Sequence, residues 1–288
     1  MSGIVEILGM TLIQRMIIAG ILSSLACGII GTIIVVRRSV FIAGGISHST
    51  FGGVGFAYLL QTWGVGWFDP VLGALLFAFG ASIILSSEYI KSRMREDSTI
   101  GVLWVMGMAL GVLFMTFVDR TRISVLSYES ILFGNIVFIS RLDLYIMGAV
   151  VLLIYLFTTI FYNDLEILTF DETFARISGI RVKVMNLILM VLVAMTITLL
   201  IKIVGVVLII AMLTIPAATA NLFTKKLSMM MITATVIGSV LTLAGIGLSI
   251  LLDIPSGTTI VLFQGIAFLL TLAGKSIYNR FRIQVVTD

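Results

Sequence analysis

Charge is scarce in this chain of 288 residues: Asp, Glu, Lys and Arg together make up 11% of it, against roughly 25% in soluble domains. Hydrophobic residues account for 60%, and the mean hydropathy is +1.21. A bilayer span needs about 20 mostly apolar residues, and charge-free stretches of that order recur along the whole length, leaving no room for a sizeable soluble domain. The composition therefore predicts one polytopic membrane domain. The sequence pI near 9.3 reflects where basic residues sit relative to the spans and carries no nucleic-acid affinity. The N-terminus, MSGIVEILGMTLIQRM, lacks a basic start followed by a small-residue cleavage site, so the first apolar segment is expected to be retained.

Other absences narrow the chemistry. Cysteine occurs once, at Cys27, which excludes an intrachain disulfide and a multi-cysteine metal site; in its apolar setting Cys27 reads as a small packing residue. Histidine also occurs once, at His48, which excludes a zinc-binding HExxH pair. No GxxxxGK[ST] occurs, so this chain does not itself hydrolyse ATP. The apolar runs hold almost no carboxylates, so proteolysis by paired aspartates lacks candidates; Glu88 lies near the end of its run. Proton-driven carriers use ionisable groups in mid-membrane, and only His48 and Lys202 qualify. The energy source is expected outside this chain, and the chain itself is not an enzyme.

What is present organises into about nine spans, eight if one segment is re-entrant: 12–36, 41–61, 71–90, 99–118, 142–162, 185–201, 204–223, 228–252 and 257–275. The weakest division is Lys202-Ile-Val-Gly205, where two short spans have very little loop between them. With the N-terminus outside and the C-terminus cytoplasmic, Arg37, Arg38, Lys91, Arg93, Arg95, Arg176, Arg181, Lys183, Lys225, Lys226, Lys275, Arg280 and Arg282 fall inside. Arg15, Arg120, Arg122, Arg141 and Lys202 are left at the outer boundary, so most of the 18 basic residues obey the positive-inside rule. Trp63 and Trp67 sit between the second and third spans, where indoles favour the interface. Within 119–141, Ser127 to Phe138 reads as a short helix capping the outer surface or acting as an outer gate. The 27 glycines with recurrent Ala, Ser and Thr let helices approach closely in lipid. The 15 methionines are scattered and read as apolar filler.

Two stretches stand out. GGISHSTFGG (44–53) holds His48 inside a run, Ser39 to Phe68, free of charged residues. On a helix Gly44, His48 and Gly52 share a face, leaving space beside the ring for a close neighbour or an open pathway, with hydroxyls from Ser47, Ser49 and Thr50 around the same turn. His48 reads either as a histidine hydrogen-bonded across a helix interface or as a transient metal ligand; two facing copies of the chain would bring two imidazoles together. NDLEILTFDETFARISGIRVK (163–183) is the one long polar connection on the cytoplasmic side. Thr169 or Asp171 is positioned to N-cap a short helix through Glu172, Phe174, Ala175 and Ile177, ended by Gly179, with Phe170, Phe174 and Ile177 as an apolar ridge. It reads as a plain loop helix or as a docking helix for a cytoplasmic partner.

Four landmarks then resemble the permease subunits of ATP-binding-cassette importers for zinc, manganese or iron(II), the group served by cluster A-I metal-binding proteins: GGISHSTFGGVGFAYLL (44–60), FDETFARISGI (170–180), KIVGVVLIIAMLTIPAATANL (202–222) and LLDIPSGTTIVLFQG (251–265). The resemblance covers essentially the whole chain, and the third landmark is the most specific. It implies an all-α bundle of the type II importer kind, in which two permease copies form the pathway at their interface. Two ATPase subunits dock below, and an extracytoplasmic metal-binding protein delivers the ion; the chain carries no permanent cofactor, only the transported divalent metal. His48, with Ser47 beside it, matches the metal-path position. Asp171, Glu172, Phe174, Ala175 and Gly179 match the coupling helix that sits in a cleft of the ATPase. Pro216 is expected to kink its span, because proline lacks a backbone donor, and Asp253 to Gly257, with Pro255, to form an outer turn near the docking surface.

One departure bears on the cargo. Many members carry Gly-Asp-Ala-Leu-Ser-His, with an aspartate four residues before the histidine; that position here is Gly44. Manganese favours oxygen ligands, so losing the carboxylate tips the expectation toward zinc, with manganese next and iron(II) also in range. The expected setting is the plasma membrane of a prokaryote. A related permease for iron-siderophore or cobalamin chelates would tolerate loss of His48, and an ion channel or secondary carrier would work without an ATPase.

Overall fold

The structure, a computed structural model, describes residues 11–119, 121, 128–134, 136 and 139–287. The expectations for Arg120 and Arg122, and those for Ser127 and residues 135, 137 and 138 of the outer segment, lie outside the described residues, as does the placement of the first ten residues. Every regular element described is helical: α1 (Thr11–Val36), α2 (Val40–Thr62), α3 (Pro70–Ser86), α4 (Glu88–Arg93), α5 (Glu96–Thr116), α6 (Tyr128–Phe133), α7 (Arg141–Ile160), α8 (Tyr162–Phe170), α9 (Glu172–Ile177), α10 (Val182–Val204), α11 (Ile209–Phe223), α12 (Leu227–Leu252) and α13 (Ser256–Thr287).

Local chemistry sets several boundaries. The Asp69 carboxylate accepts the Val71 N–H at 2.8 Å, and Pro70 occupies the first turn of α3, where a missing N–H costs nothing. Ser140 and Asp143 form a reciprocal capping box at the start of α7, satisfying two donors that a helix end otherwise leaves unpaired. α12 stops at Asp253, which adopts a left-handed conformation with φ of 53°.

By length and composition seven of these helices can cross a membrane: α1, α2, α5, α7, α10, α12 and α13. α3 and α11 are apolar but shorter. The chain is a multi-pass membrane protein. The region expected to hold two short spans contains one full helix and one short one: α10 runs 23 residues to Val204, and α11 has 15. The break falls at Gly205, whose φ of 78° is left-handed backbone that suits glycine. The expected span 71–90 also ends early, because Ser87 turns the chain out of α3 into the separate α4.

α2 packs on α3 and α5 to make one layer. α1 packs on α12, α11 and α7, and α12 continues onto α13. α10 joins the two groups through contacts with α3, α1 and α2. Because there is no hydrophobic driving force between helices in lipid, close approach supplies the packing energy. The α2–α5 seam is lined accordingly: a side chain at Gly55 would meet the Gly111 carbonyl at 2.7 Å, and one at Gly107 would meet the Ser49 Cα at 2.5 Å. α2 is the most enclosed helix, and its middle carries His48.

Candidate functional site

His48 is 6% exposed and faces α5. Its imidazole stacks on the Trp104 indole, with ring centroids 4.1 Å apart and planes 17° from parallel, and its Nδ1 lies 3.2 Å from the Met108 sulfur. Trp104 and Met108 are four residues apart on α5, hence on one face. The glycine frame does not leave the ring open. A Cβ at Gly44 would run into the Trp104 ring and meet the Ile210 Cδ1 at 3.0 Å, while one at Gly52 would meet the Gly107 carbonyl at 3.0 Å and the Phe77 ring at 3.1 Å. Of the two readings of that space, the close neighbour is the one realised.

The hydroxyls around His48 are committed to backbone. Ser47 donates to the Val206 carbonyl at 2.6 Å, Ser49 to Gly45 at 2.8 Å, and Thr50 to Ser47. Ser47, expected beside the metal path, ties α2 to the break between α10 and α11. Among the described residues no three His, Cys, Asp or Glu side chains gather as a metal cage.

At that break the described part of the outer segment, α6, packs against the chain that joins α10 to α11. The Val206 and Val207 N–H groups donate to the carbonyls of Ile131 and Leu132 at 3.2 and 3.1 Å. Ile131, Ile136 and Ile139 are buried. Gly134 and Gly205 face each other there, Gly257 faces Phe133 and Val204, and a Cβ on any of the three would strike main-chain atoms. Pro216 lies inside a continuous α11, with its ring against Gly238 of α12; it leaves the Met212 carbonyl without a helical donor. Asp253 and Pro255 are exposed at the α12–α13 turn, where Ser249 donates to the Ile254 carbonyl at 2.6 Å. With the start of α1, α6 and this turn they line a cavity of about 680 Å³.

At the opposite end of the bundle, the Asp171 side chain N-caps α9, accepting from the N–H groups of Thr173 and Phe174 at 2.8 and 2.9 Å. Gly179, with φ of 84°, follows it. Phe170, Phe174 and Ile177 are 60%, 55% and 79% exposed, an uncovered apolar ridge. Ala175, on the same short helix, is wholly buried and packs α9 onto its own chain. The sequence reading used Arg37 only as a topology marker, but the structure makes it a strut. Its guanidinium donates to Asn186 of α10 at 2.9 Å and lies 3.7 Å from the Glu172 carboxylate of α9. Burial lowers the Arg37 pKa from its ordinary value, and the carboxylates of Glu172 and Glu96 oppose that shift.

Sequence reasoning also missed Trp104 and Met108. A signal existed: Trp104 lies within an apolar span rather than at its rim, where tryptophans concentrate, and four residues before Met108.

A bundle of membrane-length helices, broken at a glycine and carrying one imidazole at its most enclosed span, defines a multi-pass membrane protein. Residues 9–275 match the ABC 3 transport family, and the chain belongs to that family. It is 34% identical over 272 residues to an uncharacterized membrane protein of Synechocystis, covering 94% of both chains. It is 33% identical over 265 residues to the manganese transport system membrane protein MntC of Halalkalibacterium halodurans, covering 92% of this chain and 88% of that one. It is 35% identical over 257 residues to a probable metal transport system membrane protein of Chlamydia trachomatis, at 89% and 87% coverage. Among solved structures, PsaBC from Streptococcus pneumoniae in complex with Fab superposes with a TM-score of 0.81 at 29% identity, covering 93% of each chain. An inward-facing structure of a metal-chelate type ABC transporter shares the fold, with a TM-score of 0.70 at 18% identity and coverage of 91% and 85%.

Proposed function

We propose that the chain is the permease subunit of an ATP-driven importer that moves a divalent transition metal inward, zinc first, then manganese or iron(II). The observation that carries this reading is the lone imidazole of His48, buried at the middle of α2 beside a thioether and with glycine in place of a carboxylate at position 44. Neutral imidazole is the commonest protein metal ligand, and a donor set without carboxylate disfavours manganese. The relatives named for metal transport, manganese in one case, support the class of cargo.

The assembly pairs two copies of the chain, two cytoplasmic ATPase subunits and an extracytoplasmic metal-binding protein. Nine crossings, with α3 and α11 as the short ones, set the N-terminus outside and the C-terminus in the cytoplasm of a prokaryotic cell. The ATPase seats on the ridge of Phe170, Phe174 and Ile177, held in place by Asp171, Glu172 and Gly179, and the binding protein meets the turn at Asp253 and Pro255. His48 contacts the ion in transit.

The test is uptake by vesicles rebuilt from the chain, its ATPase and its binding protein, comparing zinc, manganese and iron(II). ATP-dependent accumulation lost in His48→Ala is expected. Uptake without ATP points to a channel or carrier and defeats the reading, and normal metal uptake by His48→Ala removes His48 from the path.

A further inference from the structure

We infer that Met108 is the second donor to the cargo ion at His48, a sulfur ligand that selects against manganese; the inference rests on the reading that His48 lies on the metal path. The 15 methionines read as filler from sequence, but among the described residues Met108 is the one whose sulfur lies against the imidazole nitrogen. The separation of 3.2 Å suits one ion shared by both atoms. With metal–nitrogen and metal–sulfur bonds of about 2.05 and 2.3 Å, it corresponds to a ligand–metal–ligand angle of about 95°, and a further opening of about 0.4 Å reaches the tetrahedral angle. Nδ1 has a lone pair for the ion in one of the two neutral tautomers of the ring. The ion binds there when the neutral ring carries its hydrogen on Nε2, so no proton has to leave the membrane interior.

Trp104 fixes the geometry. Its indole, stacked 17° from parallel on the imidazole, holds the ring plane that aims Nδ1 at Met108, and its face tolerates a nearby cation. The same ring fills the volume that a side chain at position 44 would enter. The space beside position 44 therefore holds an indole, and a thioether lies within 3.2 Å of Nδ1. Thioethers are soft donors that favour zinc and copper(I) over manganese. Two neutral donors leave the ion's charge uncompensated, so they bind it weakly enough for release. A facing second His48 is not required to supply the second donor.

Zinc K-edge X-ray absorption on the full-length protein in lipid nanodiscs, loaded with zinc alone, tests this directly. The wild type is expected to show a sulfur shell near about 2.3 Å that disappears in Met108→Leu, a swap that keeps core volume. It persists in Met106→Leu, whose side chain is exposed. Zinc affinity should fall at least ~10-fold in Met108→Leu, the loss typical even of residues that only support a ligand. An unchanged shell in Met108→Leu, no sulfur shell in the wild type, or no bound zinc at all overturns the assignment. His48→Ala separates the two readings. Wild-type zinc affinity in that variant sinks His48 as a path residue, whereas loss there with no effect of Met108→Leu sinks Met108 alone.

Discussion

Arg37 at the end of α1 and Glu172 in the first turn of α9 lie 3.7 Å apart, and the same guanidinium bonds Asn186 of α10 at 2.9 Å. One partly buried cation thus holds the exposed ridge of α9 against two membrane helices. Glu172 is 45% exposed, so the ion pair alone is weak; the bond to Asn186 anchors the charge. Arg37→Met is expected to remove about 1.5–3 kcal/mol of local stability, typical of charged hydrogen bonds. Hydrogen exchange over α9 should speed up while the core of α2 stays protected. Unchanged exchange at α9 rejects the strut.

The ridge itself separates docking from folding. Phe174→Ala removes an exposed ring and is expected to weaken capture of the ATPase in a pull-down without lowering the melting temperature. Ala175→Asp buries a charge where the structure leaves no exposure, so it should destabilise the chain before any partner is added. If the two variants behave alike, the division of α9 into an outward ridge and an inward anchor is wrong.

Ser47→Ala tests whether that hydroxyl serves the ion or the fold. Its bond to the Val206 carbonyl is an interhelical polar contact in lipid, worth about 0.6–1.7 kcal/mol. Thermal stability is expected to drop by that order, with the ratio of zinc to manganese uptake unaltered. A change in that ratio would return Ser47 to the path.

Gly205→Ala places a Cβ on left-handed backbone and against the main chain of Leu132 and Gly134. A cost of at least ~2 kcal/mol is expected from the backbone conformation and the contact together, visible as reduced yield and a lower melting temperature in detergent. Wild-type behaviour would mean that the break can move.

Gly44→Asp introduces a carboxylate one helical turn before His48 but collides with Trp104. Alone it should disturb the packing of the indole, seen as a red-shifted tryptophan emission, and impair uptake. Combined with Trp104→Ala, which vacates the volume, it is expected to shift preference toward manganese on the order of tenfold. Equal effects in single and double variants would show that the two positions are not coupled.

Span-level organisation was legible because composition alone separates lipid-length runs from their polar joints. A cap at Thr169 or Asp171 was readable too, because capping is a rule about neighbours in sequence, and the structure selects Asp171. The glycine break was flagged only approximately, since Val and Ile on both sides of Gly205 look alike whether they continue a helix or end one. The surroundings of His48 were not readable: Trp104 and Met108 reach it from another helix, and nothing about a methionine in an apolar run distinguishes a packing sulfur from a donor. Arg37 was similarly opaque, because its partners lie on α9 and α10, far along the chain.

As a helix alone, α11 falls short of a membrane's thickness. Its 15 residues rise about 22 Å, against a hydrocarbon core about 30 Å thick. The shortfall is made up by non-helical chain, 205–208, whose Val206 and Val207 donors are satisfied by α6. Irregular backbone at that depth survives only where protein or water covers it. The break at Gly205 is therefore roofed by protein, the carbonyls of Ile131 and Leu132 on one side and Gly257 on the other, so the gap in the helix is sealed from lipid.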